Sequence, residues 1–213
     1  MQKIATSEPA SRVPLTDQTI HAFLQLLAAK TPTPGGGSLA ALTGALAAAQ
    51  AQMAVAYTIG KRRFAAVEPE LRDYSARLGK AMALLEELME EDQAAYETLH
   101  PLLKLPPEKR RAADFAPALR AAILIPQTVG VLALQVLEIC RGLVDKTNPP
   151  LLSDLGVAAG LARAAVEACQ LNVRVNLELL DDQAQARLMA RESAAQRLAA
   201  DTLWRDIFQR LIA

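Results

Sequence analysis

The sequence predicts an all-α protein, an up-and-down bundle of long, partly kinked helices. Three observations carry that prediction. Of 213 residues, 52% are hydrophobic but only 4% aromatic, so the core must be built mainly of Ala, Leu and Val, a helical composition. Apolar positions recur at intervals of three and four, which is the period of a helix face. No run of alternating β-branched residues calls for a strand. The length suits one domain with a substantial core, and residues 1–15 read as a flexible N-terminal segment ahead of a single helical domain over 16–213.

Taken in order, Thr16 reads as the cap of a first helix whose inner face is Ile20, Phe23, Leu24 and Leu27, stopped by Thr31 to Pro34. The stretch "GGGS", Gly35 to Ser38, then opens a central helix with no charge between Leu39 and Ile59. That run has the length of a bilayer span, but its alanines gain little from lipid, and Thr43, Gln50, Gln52 and Thr58 would lack partners there. No membrane is expected; small residues suit the centre of a bundle or the seam of a tight dimer. After "GKRRF", a long helix starts near Pro69, a residue fitted to a first turn, and reaches Leu103. Beyond "KLPPEKRR" a helical stretch runs to about Lys146 and carries Pro117 and Pro126, the second of which should kink or split it. The uncharged residues Ala121 to Leu137 are expected to be buried. "KTNPPLLSD" is a further break, Ser153 caps a helix to about Leu180, and the segment from Asp181 closes the chain as a charged amphipathic helix.

Several function classes are disfavoured. Twenty-three basic and 23 acidic side chains cancel, leaving no long-range field to gather nucleic acid or an anionic membrane. Cys140 and Cys169 are too few for a disulfide framework, and the first fifteen residues hold no apolar signal-peptide core, so a cytoplasmic location is expected. His21 and His100 stand far apart and outside any ligand-spaced pattern; no metal is predicted. "GGGSLA" fits the loose dinucleotide pattern, yet Pro32 and Pro34 stand where that fingerprint needs a strand, and the Walker A spacing fails. The nucleophile elbow G-x-S-x-G is missing.

Four features suggest a site. Gly35, Gly36, Gly37 and Ser38 leave main-chain amides open at a helix start, suited to a carboxylate or a polar heterocycle; alternatively, the glycines only permit a sharp turn and close packing. Asp92 interrupts the inward stripe Leu78, Ala81, Leu85, Leu88, Ala95 and Leu99, with Glu91 beside it on the wet face. A carboxylate so placed needs a polar partner or a raised pKa, or else lies at the bundle edge bonding a helix terminus. Asn172 and Asn176 share a helical face with Ala165 and Cys169 and can offer donors and acceptors to a heterocycle, while Arg174 points elsewhere and suits an acid or a carboxylate tail. Asp154 beside Ser153 has helix capping as its default role, and Lys61 after Gly60 complements the negative end of a helix.

The segments "PTPGGGSLAALTGALAAAQAQMA", "TIGKRRF", "EEDQAAYETL" and "NPPLLSDLGVAAGLARAAVEACQLNVRVNLELLDD" occur in this order over about residues 15 to 185. Together they resemble the cyclodeaminase domain of formiminotransferase-cyclodeaminase, a family that also includes stand-alone methenyltetrahydrofolate cyclohydrolases. Where many relatives have Gly-Asn-Pro-Asn, this chain keeps Asn148 and has Pro150 in place of the second Asn. The resemblance implies an all-α homodimer, a tetrahydrofolate derivative bound near the dimer interface, and neither metal nor cofactor beyond the folate itself. Cyclodeamination of formimino-tetrahydrofolate is the leading reaction implied, with methenyl-tetrahydrofolate hydrolysis second and a non-catalytic folate-binding dimer third. On this reading Asp92, with Asp154 second, stabilises the amidinium and relays a proton; Lys61 orients water or acts as an acid if burial permits. Gly35, Gly36, Gly37, Ser38, Asn172 and Asn176 hold the pterin or the glutamate end, and Arg174 is a further candidate for the tail.

Overall fold

The computed structural model describes residues 13–110 and 114–212, so most of the expected N-terminal segment 1–15 lies outside the described residues. The described residues form helices and no strand: α1 (Ile20–Ala28), α2 (Gly36–Ala56), α3 (Glu68–Leu103), α4 (Pro107–Arg110), α5 (Phe115–Leu143), α6 (Leu152–Leu177) and α7 (Gln183–Ile212). Short 3-10 turns occupy Leu15–Asp17, Arg62–Val67, Val144–Lys146 and Pro149–Leu151.

The centre of the bundle is α2. Its alanines let α3, α5 and α6 approach closely, and Ala41, Ala47, Ala48, Ala51 and Ala54 are fully buried. The alignment with α3 is antiparallel: Gly37 faces Asp92, Gly44 faces Leu85 and Gly79 faces Gln52. Against α6 it is antiparallel as well, with Gly36 beside Asn172 and Gln50 bonded to Asp154. Both α2 and the stretch Phe115–Lys146 are long and apolar enough to cross a membrane by length and composition, and both are half buried within this bundle.

Several local expectations need correction. The first helix is capped by Thr19, whose hydroxyl accepts from the Ala22 amide, not by Thr16. Only Phe23 of its expected inner face is buried; Ile20 is 82% and Leu24 53% exposed. Leu15 is buried as well, so the chain is anchored before Thr16. Ser153 caps nothing, because α6 begins at Leu152 without a side-chain cap. Pro126 neither ends nor divides α5, and within the uncharged stretch Leu124 and Val131 remain over 40% exposed. As expected, Pro69 opens α3, and α7 is amphipathic, capped by Asp182 through the amides of Ala184 and Gln185.

Candidate functional site

The first turn of α2 has no capping side chain of its own, since Gly35 stands at the N-cap. Its unpaired amides must find acceptors elsewhere. Asp92 of α3 supplies one: its Oδ2 accepts the Ser38 hydroxyl at 3.0 Å, and the Ser38 amide is directed at the same carboxylate. The Ser38 hydroxyl also lies 3.1 Å from the carbonyl of Met89. Gly37 makes this approach possible. A Cβ built there would overlap the carboxylate, with even the farther oxygen, Oδ2, only 2.6 Å away. Thus the glycines admit a carboxylate, and it is the chain's own.

Asp92 is partly buried, and desolvation pushes its pKa above the ordinary aspartate value; the hydroxyl and amide of Ser38, which favour the charged form, pull the other way. The buried thiol of Cys169 is raised to about 12 by burial and by the charge of Asp92 nearby. Across the helix terminus, Asn172 spends its Nδ2 on the carbonyl of Ala168, 2.9 Å away, and turns Oδ1 towards Gly36, where an added Cβ would lie 3.0 Å from it. A carboxylate with a raised pKa therefore sits at the positive end of a helix of 21 residues, with an amide acceptor on its other side.

Two features escape sequence reasoning. The deeply buried polar residue of α3 is Gln93, 3% exposed, one position beyond Asp92. Tyr96 lies one helical turn past Asp92, 37% exposed, its ring centroid 5.4 Å from that of His100. Its spacing of four from the interrupting aspartate was the available signal, hidden because the residue reads equally well as core. Alongside, between α1, α2 and α3, runs a groove of about 480 Å³ lined by Phe23, Leu24, Leu39, Leu42 and Met89, with Glu86 the one charged side chain lining it among the described residues.

The remaining candidates lie elsewhere in the protomer. Asp154 accepts Gln50 Nε2 at 2.8 Å near the other end of α2, about 20 Å from Gly36 at the helical rise per residue. That bond replaces the capping role expected for it. Lys61, past the same end, is exposed and not buried, so the condition for an acid role is unmet within one protomer. Asn176 donates to the carbonyl of Ala122 at 2.9 Å. This carbonyl is the one that Pro126, having no N–H, leaves without its helical partner, so the amide mends α5. Arg174 borders a separate cavity of about 290 Å³ between α6 and α7, together with Arg187 and Glu178. Among the described residues no group of three His, Cys, Asp or Glu is placed to hold a metal ion.

Comparison with known proteins gives one direction. The formiminotransferase-cyclodeaminase family profile matches residues 19–195. Methenyltetrahydrofolate cyclohydrolase of Methylorubrum extorquens is 31% identical over 198 residues, covering 91% of this chain and 95% of that protein. Formimidoyltransferase-cyclodeaminase of Rattus norvegicus is 32% identical over 79% of this chain, but the match takes in only 32% of the rat protein. The crystal structure of formiminotetrahydrofolate cyclodeaminase from Thermotoga maritima superposes with a TM-score of 0.85 at 25% identity, covering 92% of this chain and 97% of that one.

Proposed function

The chain belongs to the formiminotransferase-cyclodeaminase family, and from that premise we propose that it is a cytoplasmic formimidoyltetrahydrofolate cyclodeaminase. In this reaction the bridging nitrogen of formimino-tetrahydrofolate attacks the formimino carbon, the bond to the terminal nitrogen breaks, and ammonia leaves with the methenyl form as product. The charge at stake is a cationic amidinium, and the leaving nitrogen must gain a proton. A half-desolvated carboxyl with a raised pKa suits both needs, because it stabilises the cation when ionised and can pass a proton on. The single observation that carries the reading is this carboxylate, Asp92, seated on the glycine turn of α2 within a chain of this family.

In this mechanism Ser38 holds Asp92 in place and does not bind the substrate. Asn172 Oδ1, beside Gly36, accepts from a substrate N–H, and the half-open ring of Tyr96 lies against a flat ring of the folate. The protein works as a homodimer. Its interface is assigned to α2 and α6, where Leu39, Leu46, Val157, Leu171 and Val175 are apolar side chains left between 40% and 62% accessible. With the two-fold axis taken perpendicular to α2 at this interface, two α2 helices run antiparallel, and Asp154 of the partner subunit is carried towards the Gly36 end of the first. The acid separated from Asp92 within one protomer thereby acquires a route to the site.

Supplying each compound separately and following methenyl-tetrahydrofolate absorbance tests the reading. Its appearance from the formimino compound with release of ammonia is the expected result. A second reading, methenyltetrahydrofolate cyclohydrolase, is favoured by the match over 95% of the Methylorubrum extorquens protein, and predicts loss of that absorbance above the spontaneous rate. Saturable folate binding with neither signal would leave a non-catalytic folate-binding dimer and refute both enzymes.

A further inference from the structure

We propose that Glu97 is a positioning residue of the site, acting through the loop that delivers the glycine turn; the inference rests on the reading above for its kinetic arm only. The first turn of α2 contains Gly36 and Gly37 after Gly35, residues with no side chains to fix where the helix starts. Besides the bonds of Ser38 to α3, placement comes from the preceding loop, Thr31 to Pro34. Within this loop the Thr31 hydroxyl donates to the carbonyl of Thr33 at 3.0 Å. Thr33, itself 8% exposed, donates its hydroxyl to Glu97 Oε1 at 2.8 Å. The same oxygen accepts Gln93 Nε2 at 3.0 Å. One carboxylate oxygen thus ties the loop to the turn of α3 that carries Asp92.

The amide of Gln93 shows how much depends on that oxygen. It is buried, its Nε2 reaches Thr33 Oγ1 only at 3.5 Å, and its Oε1 has no hydrogen-bond partner among the described residues. A buried amide left half satisfied is an expensive arrangement, and the strong bond fixing its orientation is the one to Glu97. Asp92 is the next residue back along the helix, so the same turn sets both the carboxylate and the loop facing it. Displacement by about 1 Å of groups held in this way is enough to lower turnover on the order of a hundredfold.

The test compares Glu97→Ala with Glu97→Gln, which keeps an Oε1 acceptor for both donors. Hydrogen exchange is measured at the Ser38 and Leu39 amides, the second of which donates to the Gly35 carbonyl at 3.0 Å. Glu97→Ala is expected to speed their exchange about tenfold and to lower kcat by about tenfold to a hundredfold, with Glu97→Gln restoring both to within about threefold. Thr33→Val, which removes only the hydroxyl, replaces Glu97→Ala if that variant does not fold, with the same expectations. Unchanged exchange in the variant lacking the tether overturns the inference, and so does faster exchange with unchanged kcat. If the native protein turns over neither folate, the proposed function fails, while the exchange measurement still decides whether Glu97 sets the turn.

Discussion

Asp92 and Gly37 occupy adjoining space so closely that no side chain fits between them: a Cβ on Gly37 would overlap the carboxylate. Gly37→Ala should therefore force the carboxylate off its seat on Ser38, costing about 1–3 kcal/mol by overpacking and lowering kcat at least about tenfold. Gly35→Ala is the control, because its Cβ would meet nothing nearer than 3.9 Å and its backbone is extended, so its melting temperature should match the native one. Thermal melts and the absorbance assay read both variants.

Asp92→Asn keeps the shape of the side chain and removes its charge. Turnover should fall by about 10² to 10⁴, the usual range for losing a proton-transfer group, while folate binding persists. Isothermal titration beside the kinetic assay checks it. Retained activity removes Asp92 from the chemistry and leaves it as the trans cap of α2, the plainer role that its bonds to Ser38 already describe.

The raised pKa of Asp92 has two pH signatures. An acid whose pKa is higher in the folded state contributes stability that is fully present below its unfolded pKa, about 4, and is lost as pH rises through the folded one. The melting temperature of the native protein relative to Asp92→Asn should thus be most favourable in acid and decline with rising pH. If the ionised form meets the substrate cation, kcat/KM should climb with pH along a limb centred above about 4, and Asp92→Asn should lack that limb.

Asn176 and Pro126 form a pair that can be tested by a double-mutant cycle. Asn176→Leu strands the Ala122 carbonyl and should cost about 1–3 kcal/mol with kcat unchanged. In a Pro126→Ala background the helix regains its own donor, and the same substitution should cost measurably less. Additive costs would show that the two residues do not act on the same carbonyl.

A shared site across the two-fold axis predicts complementation. Mixing inactive Asp92→Asn and Asp154→Asn subunits should recover about a quarter of native activity, since half the dimers are mixed and each mixed dimer has one intact site of two. No recovery on mixing, with subunit exchange verified, would confine each site to one protomer or leave Asp154 outside it.

The helical fold was legible because long amphipathic segments and prolines at helix starts leave strong periodic marks, as at Pro69. The glycine turn, Asp92 and Asn172 were legible as anomalies, and the structure brings these three together. What escaped was set by partners distant in sequence. Asn176 looks identical to Asn172 in helical position, and only the missing N–H of Pro126 on another helix gives it a different task. Gln93 passed unnoticed because the apolar stripe was drawn through Leu88 and Asp92, whereas the buried line of α3 passes through Met89 and Gln93. The caps at Thr16 and Ser153 failed because the helices start elsewhere, α1 after Thr19 with its own side-chain cap and α6 after Leu151 with none, so local chemistry did not decide.

The alanine shaft of α2 has a mechanical corollary. Alanine has no rotamers with which to absorb a crowding neighbour, so whatever part of an enlargement the Leu and Val side chains packed on α2 do not take up moves the helix as a rod. A single added methylene at Ala48 or Ala51, far down the shaft, would be transmitted to the glycine turn as a displacement and register there as impaired chemistry. Lesions in the middle of this bundle should therefore masquerade as active-site mutations.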